Sequence, residues 1–120
     1  MTIKSLYFLV QESEGFSVRA NDLLTYAGDG YAVGGAEPAV GVYKYKRDEL
    51  SFNRFNETIV NLQRVSSDAT QVIGAWVDAY GIAYLELSDV VKSKQVALEL
   101  ARARGEKAIY DFANSESIYL

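Results

Sequence analysis

Two strand-like runs joined by a three-residue turn restrict the fold more than any other stretch of the sequence. The runs are 72–78 (VIGAWVD) and 82–87 (IAYLEL), and both are rich in apolar residues. Between them, Gly81 can adopt the positive φ that a tight connection between antiparallel strands usually requires. We therefore predict a β-hairpin over residues 72–87.

A helix pattern follows the hairpin. Ser93 is suited to be the N-cap, Gly105 suits the position after the last turn, and Arg102 and Arg104 complement the negative end of the helix dipole. We expect a helix over about residues 93–104 that packs on the sheet by its apolar side. That side consists of Val96, Ala97, Leu100, Ala101 and Ala103.

The first half of the sequence has a similar order of patterns, although the residues do not repeat. Strand-like runs occur at residues 3–10, 16–18, 31–33 and 40–45. Apolar residues then recur at spacings of three, four and three, at Phe52, Phe55, Ile59 and Leu62. This spacing predicts a helix over about residues 49–63, with Asp48 or Ser51 as its N-cap. Two further strands are expected at 107–112 and 117–120.

These elements predict a single α+β domain over residues 1–120. Its sheet is expected to be mainly antiparallel, with the two helices packed on one face. A chain of 120 residues can bury an ordinary core without a metal or a disulfide. We recognise neither a signal peptide nor the run of about 20 apolar residues that spans a membrane, so we expect a cytoplasmic protein.

The sequence contains no cysteine and no histidine, which restricts its chemistry. Thiol catalysis, Ser-His-Asp triads and the usual zinc sites are excluded. We expect no metal and no cofactor, and the absences favour a binding protein over an enzyme. An enzyme built from this chain would have to use carboxylates, chiefly Asp78, Glu86 and Asp111, since the first two flank the hairpin turn.

Four glycines lie within eight residues in the stretch 28–35 (GDGYAVGG), which invites comparison with a phosphate-binding loop. A dinucleotide-binding fingerprint requires a third glycine where this chain has Val33, and a helix directly afterwards. Residues 36–38 (AEP) and a strand-like run follow instead. We interpret the glycines as turns around a short strand over residues 31–33.

Aromatic residues are the most suggestive functional feature, since the chain contains nine tyrosines and one tryptophan. Exposed on one sheet face, such rings would give a partner contact area at low cost in conformational entropy. We predict a partner-binding surface that consists of Tyr43, Tyr45, Trp76, Tyr80 and Tyr84. The alternative is that about half of these rings are buried, with their hydroxyl groups reaching the surface.

The class of partner follows from charge. Lys44, Lys46 and Arg47 interleave with two tyrosines, which resembles a small platform for single-stranded nucleic acid. However, 16 acidic and 12 basic residues give a net charge of −4, which opposes a general attraction to phosphate. A protein partner is therefore the leading hypothesis and nucleic acid a weaker one. A homo-oligomer that buries the same aromatics between its copies is a further alternative.

Four short motifs occur in order along the second half of the chain. They are G-x-W-x-D (74–78), Y-L-E (84–86), A-L-x-L-A (97–101) and A-I-x-D-x-x-N (108–114). This succession resembles small uncharacterised accessory proteins of bacterial phages and integrative mobile elements, although Lys107 stands where their pattern more often has Gln. The resemblance implies an accessory or counter-defence protein that binds rather than catalyses, and it implies no defined activity.

Overall fold

The computed structural model describes residues 1–38 and 41–120, which form three helices and seven strands. The helices are α1 (Ile3–Gln11), α2 (Phe52–Val65) and α3 (Lys94–Arg104), and a short 3₁₀ helix (Arg47–Glu49) precedes α2. The strands are β1 (Phe16–Arg19), β2 (Tyr31–Val33), β3 (Tyr43–Lys46), β4 (Val72–Val77), β5 (Ile82–Val91), β6 (Ala108–Asp111) and β7 (Glu116–Tyr119). Every strand pairing in the described part of the chain is antiparallel, which confirms the predicted α+β class.

The long strand β5 is the centre of the sheet. The strand order is β1-β4-β5-β2-β6-β7, and β3 also pairs with β5. The predicted hairpin is confirmed as β4 and β5, and Gly81 in its turn has a φ of 79°. The strand predicted over 40–45 corresponds to β3, which begins only at Tyr43. Val40, the first residue of the predicted strand, lies outside the described residues.

The count of two helices is wrong, because residues 3–10 form α1 instead of a strand. Thr2 caps α1, since its hydroxyl oxygen accepts a hydrogen bond from the Ser5 amide at 3.1 Å. Leu6 and Val10, one helical turn apart, are fully buried, whereas Phe8 is 67% exposed. A short run that is apolar at most positions fits both the helical and the strand period. The packing of α1 against α2 and the core therefore decides in favour of a helix.

Both predicted helices form, α3 with the expected cap Ser93 and α2 with Ser51, one of the two candidate caps. The Ser51 hydroxyl accepts from an amide of α2 at 3.1 Å, and the Ser93 hydroxyl does the same for α3 at 3.3 Å. Gly105 ends α3 with a φ of 72°. The predicted apolar side of α3 is only partly correct, because Ala97 and Ala101 are buried while Val96 is 49% exposed.

Two hydrophobic clusters lie beneath the helices. The larger cluster contains fourteen buried residues of the described chain, including Phe55 of α2. The smaller cluster lies under α3 and contains four: Val33, Ala97, Ala101 and Ile109. Leu85 and Leu87 of β5 belong to the larger cluster, and Val91 packs against the smaller one. The two ends of β5 therefore contribute to different clusters.

The face of the β4–β5 hairpin opposite Leu85 and Leu87, here called the open face, carries Tyr84, Glu86 and the residues paired with them. Tyr84 pairs with Trp76 on β4 and with Lys44 on β3. Glu86 pairs with Gly74. Trp76, Tyr84 and Lys44 therefore form one row across the open face. Gly74 and Glu86 form the neighbouring row.

Candidate functional site

Trp76 and Tyr84 form a stacked pair on the open face. Their rings are nearly parallel, at 10°, and their centroids are 4.1 Å apart. The Lys44 ammonium lies 5.9 Å from the centre of the Tyr84 ring, near the outer limit of a cation–π contact. Trp76 is 50% exposed despite the stacking. A large, laterally supported aromatic ring is therefore available on this surface.

Asp78 holds this pair in place from the hairpin turn. One of its carboxyl oxygens accepts from the amides of Tyr80 and Ile82 at 2.9 and 3.0 Å, and the other accepts from the Tyr84 hydroxyl at 2.9 Å. These donors, with the Ile82 amide foremost, lower the pKa of Asp78, and the carboxylate in turn raises the pKa of Tyr84. Asp78 is thus an ionised residue that orders the turn and orients the Tyr84 ring.

Tyr80 stands at the tip of the same hairpin and is 89% exposed. It lines a groove of about 630 Å³ between the hairpin turn and the 3₁₀ helix. Charged side chains of both signs contribute to that groove, namely Lys46, Arg47, Asp48, Glu49 and Asp78. The groove is polar and mixed in charge, and the predicted basic residues Lys46 and Arg47 lie here beside acidic neighbours.

Tyr43 and Tyr45 lie on the other side of the sheet, away from Trp76 and Tyr84. Both pack against the larger cluster. The Tyr45 hydroxyl is 2.7 Å from the Thr58 hydroxyl, and the Tyr43 hydroxyl accepts from the Asn61 side chain, so both tyrosines are tied to α2. The structure therefore does not bring the five predicted aromatics onto one surface. It also separates these two tyrosine rings from Lys44, because neighbouring strand residues alternate.

The three carboxylates singled out in the sequence do not meet. Asp111 is buried and orders the β6–β7 turn, where it accepts from the amides of Ala113 and Asn114. Asp78 lies in the hairpin turn. Glu86 is four residues along β5 from Ile82, the first residue of the strand, which is a distance of about 13 Å.

The structure instead brings Glu86 to Glu106, a residue that the sequence analysis missed. The point that a Cβ on Gly34 would occupy lies 2.6 Å from a carboxyl oxygen of Glu86 and closer still to one of Glu106. Burial, and then the charge of Glu106, raise the pKa of Glu86 to about 7. Gly34 belongs to the glycine-rich stretch, which forms turns around β2 as predicted, and its missing side chain leaves room for both carboxyl groups.

The arginine beside this carboxyl pair is engaged elsewhere. Arg104 passes Gly35 and forms an ion pair with Asp89 at 2.5 Å. Its guanidinium also donates to the carbonyl oxygens of Val33 and Gly34 at 3.3 and 3.1 Å. The Glu86–Glu106 pair therefore stands without an ion-pair partner within residues 1–38 and 41–120.

Comparisons with models of protein families, with curated proteins and with solved structures found no match. Among the described residues, no group of three or more acidic side chains is arranged to hold a metal ion. None of the helices in that part of the chain is long and apolar enough to cross a membrane. A function must therefore be argued from the geometry of the open face.

Proposed function

We propose that this chain is a small cytoplasmic binding protein that occupies a protein partner through the open face of its sheet, with Trp76 as the central contact. The half-exposed Trp76 ring stacked on Tyr84 carries the proposal. Tryptophan and tyrosine are enriched among the residues that contribute most to protein interfaces. A ring already held in place loses little conformational entropy on binding, so more of its contact energy contributes to affinity.

The surroundings of Trp76 suit a close approach by a partner. Gly74 lies two residues away on the same face, and no described residue other than its two chain neighbours comes within 4 Å of the point that a Cβ there would occupy. The backbone is therefore uncovered beside the ring. Tyr80, at the end of the same hairpin, adds a second exposed ring.

The resemblance to accessory proteins of phages and mobile elements supports the same class of function. The motif G-x-W-x-D places Gly74, Trp76 and Asp78 together, and each has a role on this surface: open backbone, exposed ring and support of Tyr84. We propose on this basis that the chain is an accessory or counter-defence protein of a mobile element. Its action would be to occupy a host protein without changing it chemically.

The test compares the wild-type chain with Trp76→Ala as bait in a pull-down from a bacterial host, followed by titration of the purified partner. We expect Trp76→Ala to weaken binding at least tenfold, in the range of interface hot spots. The matched control is Phe8→Ala, which removes an exposed ring from α1 and should bind like the wild type. Circular dichroism checks that both variants fold. If Trp76→Ala does not fold, Tyr80→Ala takes its place in the test.

Unchanged binding by both Trp76→Ala and Tyr80→Ala would reject the proposal. Sedimentation of the wild-type chain tests the remaining alternative, which is self-assembly. A monomer at all concentrations excludes self-assembly. An apparent mass that rises with concentration and falls in Trp76→Ala would assign the open face to contacts between copies.

A further inference from the structure

Glu86 and Glu106 come from parts of the fold that are far apart in sequence. We propose that the pair holds one proton in the folded protein at neutral pH, and that this proton couples the turn after α3 to the centre of the sheet. Glu86 lies on the central strand β5, and Glu106 lies in the turn between α3 and β6. Both carboxyl groups converge on Gly34, which follows β2.

The backbone segments that carry the pair and Gly34 are tied to the rest of the fold. The Glu106 amide donates to the Ala101 carbonyl oxygen at 2.9 Å, which ties the turn to the end of α3. The Ala36 amide donates to the Leu87 carbonyl oxygen at 3.2 Å, which ties the segment after β2 to β5. Two ionised carboxylates that both lie against Gly34 repel each other, and a proton on one of them removes the repulsion.

The charged and polar groups around the pair do not replace that proton. From β5, Asp89 is occupied by Arg104 of α3, which also binds two backbone carbonyl groups. From the segment after β2, the Gly35 amide favours the ionised form of Glu86, but its effect on the pKa is smaller than the opposing effects of burial and Glu106. The net result is that Glu86 holds its proton to about pH 7.

The direction of the pH dependence follows from linkage. A carboxyl group with a pKa of 4.5 in the unfolded chain and about 7 in the folded protein binds its proton about 300-fold more tightly when folded. Its stabilising contribution is complete below pH 4.5 and is lost as the pH rises through 7. The loss should appear first in the turn after α3, because the region around it packs on the smaller cluster.

The experiment measures the unfolding equilibrium by denaturant between pH 5 and pH 8. In the wild type, we expect the unfolding constant to rise about 70-fold over this range through the pair alone. Glu86→Gln should abolish the rise, Glu106→Gln should reduce it only in part because Glu86 stays buried, and the double variant should match Glu86→Gln. The matched control is Glu57→Gln, an exposed glutamate on α2 that should keep the wild-type profile.

Carbon NMR of the glutamate carboxyl groups measures the protonation of the pair directly in the wild-type chain. We expect Glu86 to titrate near pH 7 and at a lower pH in Glu106→Gln, which removes the charge effect but not the burial. The amide shifts of Lys107 and Ala108 should follow the same midpoint. A Glu86 midpoint below pH 5, or one that Glu106→Gln leaves unchanged, would overturn the proposal that the pair holds a proton. If the amide shifts of Lys107 and Ala108 do not change with the Glu86 midpoint, the proposed coupling to the turn is overturned.

Discussion

The two hydrophobic clusters beneath the helices support different parts of the open face. The larger cluster has Phe55 and several leucines, whereas two of the four residues in the smaller cluster are alanines. The Trp76–Tyr84 pair lies on the β4–β5 hairpin, whose other face belongs to the larger cluster. The Glu86–Glu106 pair joins that half to the region beneath α3. The proposed binding surface is thus backed by the larger cluster, and the proposed proton-linked contact lies beside the smaller one.

The largest effect is expected from a cavity in the larger cluster. Phe55 is fully buried and contacts the rings of Tyr7 and Phe16. Phe55→Ala should lower the free energy of unfolding by about 3–5 kcal/mol. Denaturant unfolding, followed both by Trp76 fluorescence and by circular dichroism, measures it. A loss under about 1 kcal/mol would contradict the assignment of Phe55 to the main core.

A cavity in the smaller cluster should act more locally. Ile109 is 2% exposed, and Ile109→Ala should cost about 2–3 kcal/mol, at the lower end of the range for such truncations. Hydrogen exchange should then accelerate most in α3 and β6 and least in β4. Equal acceleration across the sheet would show that the two clusters unfold as one cooperative unit.

The two serine caps provide a matched pair of smaller changes. Ser51→Ala and Ser93→Ala each remove one hydrogen bond to a helix amide and should each cost about 1 kcal/mol. We expect Ser93→Ala to speed hydrogen exchange in α3 alone, and Ser51→Ala to be seen as a change in global unfolding. If Ser93→Ala also altered exchange throughout β4, the contrast between the clusters would be lost.

The smallest effect is expected on the open face. Lys44 is exposed and lies at the outer limit of a cation–π contact with Tyr84, so Lys44→Ala should change the unfolding free energy by only about 0.5 kcal/mol. Trp76 fluorescence should remain that of the wild type, because Asp78 still holds Tyr84. A large spectral change would mean that the stacked pair depends on Lys44.

Local signals in the sequence were sufficient where neighbouring residues determine the outcome. The caps at Ser51 and Ser93, the turn at Gly81 and the end of α3 at Gly105 all form as predicted, because each acts over one turn of backbone. The prediction failed for α1, whose apolar run has no clear period. There, burial of Leu6 and Val10 against the rest of the core decided between helix and strand.

The sequence by itself determined the hairpin, two of the helices and the exclusion of histidine and cysteine chemistry. Only the tertiary structure decided which aromatics share a surface, since it separates Tyr43 and Tyr45 from Trp76. It alone also brought Glu106 to Glu86. The physical reason is that caps and periodicity act through adjacent residues, whereas contacts between distant residues depend on strand register and on how α3 packs, which short-range interactions do not encode.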